Sequence, residues 1–133
     1  MRRMYSENQL KKIANEAVFT DISNVTITKG SYTTYAYIHV SICGKCITIA
    51  GSITINNTSE ESIENYSAIK INNLNHGDSI DENYFPMIKD YTTLAPAFFS
   101  YDNMIIIKNV PTGETIYEFD VDLIDTDDVT VED

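Results

Sequence analysis

The 133-residue chain has no tryptophan, two cysteines, two histidines, and nine Lys and Arg against twenty Asp and Glu. Each shortage removes a class of protein. Two cysteines allow at most one disulfide, so the chain is not a disulfide scaffold. The formal charge of −11 argues against binding a phosphate backbone, which needs clustered Lys and Arg. The longest purely aliphatic run is Met104–Ile107, far short of the roughly 20 apolar residues that span a bilayer, so no membrane insertion is expected. Charge near the N-terminus with no apolar stretch behind it predicts no signal peptide. There is no P-loop, GxGxxG, HExxH or G-x-S-x-G. Two separated histidines do not supply the metal set of a cupin-like enzyme. No cofactor and no metal are expected, and the chain reads as non-enzymatic. The length suits one ordinary domain with a real core.

What is present is mostly β patterning. Ser6-Glu7-Asn8-Gln9 is a capping box, and Leu10, Ile13, Ala14 and Ala17 follow on one helical face. A helix over about 7–18 is predicted. It is marginal alone, so its stripe must dock on the sheet or on the same helix in sister chains. Val25–Thr28 alternates with period two. Tyr32–Ile42 puts Tyr35, Tyr37, His39 and Ser41 on one face and Thr34, Ala36, Ile38, Val40 and Ile42 on the other. Gly44-Lys45 reads as a two-residue hairpin turn leading to Ile47–Ile55. Tyr66–Ile71 is a strand, Asn72–Tyr84 a polar loop, and Phe85–Ile88 a short extended piece whose Pro86 favours an edge. Phe98–Tyr101 and Met104–Lys108 pair across Asp102-Asn103. Thr115–Ile124 alternates, with Tyr117, Phe119, Val121 and Leu123 on one face. Seven or eight short strands with no βαβ rhythm predict a mainly β protein, an antiparallel β-sandwich of jelly-roll type with a short N-terminal helix. The expected division is 1–20 helix for packing or trimerisation, 21–124 sandwich, and 125–133 a frayed acidic tail.

Cys43-Gly44-Lys45-Cys46 is a CxxC. It lies at a hairpin rather than the helix N-terminus that activates a redox thiol, and a zinc site would need His39 and His76 as well. Two cross-strand cysteines, oxidised or not, are the plainer reading. His76 lies in Asn75-His76-Gly77-Asp78, with Asp78, Asp81 and Glu82 nearby: either a polar or metal-binding loop or a solvated turn. Nine of the twenty acids follow Lys108. They form a solvated, edge-protecting face, or they bind calcium or a basic partner. Nine tyrosines suit half-buried sheet positions or contact surfaces. Tyr35 and Tyr37 are candidates for an inter-subunit surface.

Residues 32–124 resemble the C-terminal jelly-roll heads of phage tail fibres and receptor-binding proteins. The matching pieces are Gly44-Lys45-Cys46-Ile47-Thr48-Ile49-Ala50-Gly51-Ser52-Ile53, Ala68-Ile69-Lys70-Ile71-Asn72-Asn73-Leu74, Phe85-Pro86 and Ser100-Tyr101-Asp102-Asn103-Met104-Ile105-Ile106-Ile107. The chain departs from that pattern at Asn75 and Asn103 and carries no fibrous shaft. The resemblance implies a homotrimer, with Leu10, Ile13, Ala14 and Ala17 bundled on the threefold axis. It implies a virion tail component, made in the host cytoplasm, that contacts a host-surface saccharide or another tail protein. Binding is expected in loops 56–65 and 72–84, at Tyr66, Asn75, His76, Asp78, Asp81, Asn83 and Tyr84. The rival expectation is a phage-encoded acidic inhibitor that imitates nucleic acid in a basic groove.

Overall fold

The computed structural model describes residues 26–80 and 83–132. The helix expected over 7–18, with its Leu10, Ile13, Ala14 and Ala17 stripe, lies outside them. The chain is mainly β, as the alternation predicted. Strands are β1 (Ile27–Lys29), β2 (Thr33–Cys43), β3 (Cys46–Asn57), β4 (Ile63–Ile71), β5 (Leu74–Asn75), β6 (Asn83–Lys89), β7 (Thr93–Phe99), β8 (Met104–Val110), β9 (Gly113–Ile124) and β10 (Thr130–Val131). Eight form one antiparallel sheet in the order β1-β4-β8-β7-β6-β9-β3-β2; β5 and β10 form a separate pair.

The sheet is curled until it is nearly closed as a barrel. Its two outermost strands, β1 and β2, follow each other in the chain, so the Gly30–Tyr32 corner carries the backbone across the gap. The corner is pinned by the Gly30 N–H donating to the Ala68 carbonyl at 2.7 Å and the Tyr32 N–H donating to the Tyr66 hydroxyl at 2.7 Å. A side chain at Gly30 would collide with the Ser67 carbonyl oxygen, 2.3 Å from its Cβ position.

The period-two pattern sorts the faces as read from sequence. Ile38, Val40, Ile42, Ile47, Ile49, Ile53 and Ile55 are buried, whereas Tyr35 and Tyr37 point outward. β-Branched side chains suit a pleated interior packed from several sides. In β4 the phase slips: Ala68 and Ile69 are both buried, across a register shift between Ser67 and Ile69 that behaves as a bulge. The Tyr117 hydroxyl is buried without a partner among the described residues. Burial, helped by the charge of Asp90, pushes it up to about 12.

Two expectations need correction. The strand expected from Phe98 starts five residues earlier, so β7 also includes Thr93-Leu94-Ala95-Pro96-Ala97; Pro86 and Pro96 face each other across the β6–β7 hairpin. Neither proline can donate a ladder hydrogen bond. The β6–β9 ladder accordingly holds only Ile88 and Lys89, and the β7–β8 ladder stops at Ala97. The segment from Asp125 is also no frayed tail. Val129 is buried and β10 pairs with β5.

Gly51, in the middle of β3, has φ +146, and a Cβ there would lie 1.9 Å from the Tyr37 carbonyl oxygen. Gly51→Ala should therefore destabilise the barrel by at least about 3 kcal/mol, read as a lowered urea midpoint. An unchanged midpoint would refute this close approach of β2 and β3.

Candidate functional site

The strand register separates the chain's connections into two barrel ends. Segments 30–32, 58–62, 90–92 and 111–112 lie at one end. The Gly44-Lys45 turn, residues 72–80, the 100–103 turn, Thr26 and the segment after Ile124 lie at the other. The loops 56–65 and 72–84, proposed together as binding loops, are thus at opposite ends.

The second end holds a polar cleft of about 470 Å³, lined by Thr26, Lys70, Asn72, Asn73, Leu74, Asn75, Asp102, Asn103 and Glu132. Local chemistry explains its walls. Asn73 (φ 64) and Asn103 (φ 58) occupy the left-handed region, which asparagine tolerates because its short amide bonds locally. The Asn103 N–H donates to the Ser100 carbonyl at 3.1 Å, closing the β7–β8 turn, and the Glu132 N–H donates to the Asn73 carbonyl at 2.7 Å. The side chains of Lys70, Asn73, Asn75, Asp102 and Glu132 remain exposed. Tyr101, 63% exposed, is next in sequence to Asp102.

Behind the cleft lies a buried carboxylate. Asp125 is 3% exposed. Its Oδ2 accepts the Gly77 N–H at 2.5 Å. Its Oδ1 accepts the Ser79 hydroxyl at 2.8 Å, the Asp127 N–H at 3.0 Å and the Thr126 hydroxyl at 3.3 Å. Burial acts to raise this carboxyl, but the donors from Asp127, Ser79, Gly77 and Thr126 outweigh it and hold it below its ordinary value of 3.8.

The network continues through His76. Its Nδ1 lies 2.7 Å from the Gly77 carbonyl oxygen and 3.9 Å from Asp125 Oδ2. Its Nε2 lies 2.6 Å from Asn103 Oδ1, and the Asn103 amide donates to the Leu74 carbonyl at 2.8 Å. The ring also packs on Phe99, centroids 5.4 Å apart. Asp125, His76 and Asn103 thus join the C-terminal segment, the 76–79 loop and the β7–β8 turn. These groups set the shape of the cleft wall.

The residues proposed from sequence fall into distinct places. Asn75 lines the cleft. His76 stands behind it as a brace, its side chain 4% exposed, not a surface contact. Asp78 is exposed on the 3-10 turn Asp78–Ile80. Asp81 lies outside the described residues. Asn83 donates to the Ser79 carbonyl at 3.1 Å, outside the cleft. Tyr84 belongs to a different surface, its ring tilted against Phe98 with centroids 5.0 Å apart. Tyr66 is away from this cleft: it is buried, with its hydroxyl taken up by Tyr32 and Thr33 at the β1–β2 corner. Tyr35 and Tyr37 are exposed on β2. Cys43 and Cys46 face each other across the hairpin as thiols. Among the described residues no three His, Cys, Asp or Glu side chains gather as a metal site.

Sequence reading missed Lys70, Asn72, Asn73, Asp102, Asn103 and Glu132. Asn72-Asn73 and Asp102-Asn103 had been read only as loop and turn. No local signal brings Glu132 alongside, because it arrives through the β5–β10 pair.

No family model matches the chain, and neither a curated protein nor a solved structure matches it.

Because Asp125 has a folded value below its unfolded one, its ionised form stabilises the fold above the ordinary carboxylate range. That contribution is lost as pH falls through the folded value. Asp125→Asn should cost about 1–2 kcal/mol at neutral pH. The gap from wild type should close as pH drops below 3.8, followed by urea unfolding across pH. A gap independent of pH would contradict this role.

Proposed function

We propose that this chain is a non-enzymatic binding module that takes a saccharide in the polar cleft at the Asn72–Asn75 end of the barrel. The observation that carries the reading is the cleft's chemistry. Exposed amides and carboxylates, Asn73, Asn75, Asp102 and Glu132, stand beside Lys70 around one opening. Amides offer both donor and acceptor, and carboxylates accept in pairs, which is what vicinal sugar hydroxyls require. Tyr101, exposed and next in sequence to Asp102, adds an amphipathic ring to the same turn. The Asp125–His76–Asn103 network holds the wall in place before a ligand arrives, which lowers the ordering cost of binding.

The resemblance of residues 32–124 to tail-fibre heads gives that saccharide a source, a host cell surface, and gives the protein a place on a virion tail as a jelly-roll-like trimer. A second reading is favoured by one feature. Glu118, Asp120 and Asp122 share the outer face of β9, one every second residue, a spacing of roughly 6.6–6.8 Å. Such a row suits the basic groove of a nucleic-acid-binding partner.

A glycan array followed by calorimetry tests the first reading. Binding to a surface oligosaccharide should weaken at least about tenfold, or about 1.4 kcal/mol, in both Asn75→Ala and Asp102→Ala, with unfolding midpoints unchanged. Binding indifferent to both substitutions would reject the cleft. Capture of a basic nucleic-acid-binding protein in a salt-sensitive manner, with no glycan bound, would favour the second reading.

A further inference from the structure

The outer face of the β6–β7 hairpin carries three cross-strand pairs, and all three are apolar: Tyr84 with Phe98, Pro86 with Pro96, and Ile88 with Leu94. Tyr84 is 66% exposed, Leu94 72% and Ile88 43%. Single exposed apolar side chains are ordinary, but a contiguous block marks a surface that another element covers. An antiparallel sheet facing water normally alternates to polar residues on that side. The block runs into a cleft of about 420 Å³ at the β6–β9 seam, where Pro86, Ile88 and Leu94 meet Phe119 and the acidic Glu118 and Asp120. Its chemistry is an apolar floor with carboxylates on one wall.

We propose that the chain's own N-terminal segment covers this face, with Leu10, Ile13, Ala14 and Ala17 laid on the hairpin and the segment's basic residues beside Glu118 and Asp120. Three observations select this occupant. The stripe needs an apolar partner, because a twelve-residue helix is marginal alone, and helix on sheet is an ordinary way to satisfy both. The charges are complementary. In residues 1–20, Arg2, Arg3, Lys11 and Lys12 outweigh Glu7 and Glu16, a net of +2, whereas the rest of the chain carries −13. The tether also reaches. Thr26 accepts the Asn72 N–H, and Asn103 accepts the Ile71 N–H, so the chain leaves the barrel at the end where Tyr84 and Phe98 lie. From β1 to β7 is three strand spacings, about 14 Å, and residues 18–25 can span up to about 27 Å. The proposal does not rest on the saccharide reading, and it places the stripe within one chain rather than on a threefold axis.

Amide hydrogen exchange on the full-length chain tests it, read over residues 7–18 and over β3 and β9. Leu94→Asp is expected to fold, since Leu94 is exposed; Ile88→Ser is the milder second variant and Ile13→Asp the reciprocal one. Residues 7–18 should be protected in the wild type at all protein concentrations. All three variants should lower that protection at least about tenfold, while β3 and β9 keep theirs. A photo-cross-linking residue at position 94 should join to 7–18 of the same chain. The proposal is overturned if 7–18 are unprotected in the wild type, or if Leu94→Asp and Ile88→Ser leave their protection intact. It is equally overturned if protection vanishes on dilution together with a three-chain mass, or if the cross-link joins two chains.

Discussion

Asp125 leaves water on folding and takes four hydrogen bonds in exchange, and the geometry of the cleft end follows from that trade. A buried carboxylate is costly unless donors surround it. Here the donors come from Gly77, Ser79, Thr126 and Asp127, so satisfying one charge fixes two segments that no regular strand would hold. His76 carries the constraint onward to Asn103, and Asn103 carries it to the Leu74 carbonyl. The wall of the cleft is therefore as rigid as this chain of contacts.

The barrel supplies the platform on which this network rests. Its interior is filled by isoleucine-rich strand faces, so burial of apolar surface accounts for the fold's cohesion. Glycine is needed where backbones crowd: Gly51 against Tyr37 and Gly30 against Ser67. Proline has the opposite use. Pro86 and Pro96 shorten the ladders on either side of the β6–β7 hairpin, opening the seam beside its apolar face. Rigid polar surface at one end and apolar surface on one flank are thus separate features of one sheet.

Most strands were legible because period two survives wherever one face is buried. The faces of β2 and β9 and the Gly44-Lys45 turn could be read directly. The exceptions have physical causes. β7 was obscured by Thr93, Pro96 and a small Ala95/Ala97 interior face, which carries little hydrophobic signal. Ala68 and Ile69 break the alternation through a bulge. The candidate site was legible only at Asn75, because the cleft is assembled from turns distant in sequence. Tyr66 looked like a contact residue since tyrosine is amphipathic; its hydroxyl instead serves the Gly30–Tyr32 corner. Asp125 looked like the first residue of a solvated acidic run, and only tertiary contacts show it to be buried.

The most direct test of the central claim is hydrogen exchange at the Gly77, Asp127 and Glu132 amides in the wild type and in Asp125→Asn. The account predicts slow exchange at all three in the wild type and a coordinated loss of protection in the variant, with β3 and β9 unaffected. Unchanged protection at Gly77 and Glu132 after the substitution would contradict it, because the loop and the C-terminal segment would then be held by something other than this carboxylate.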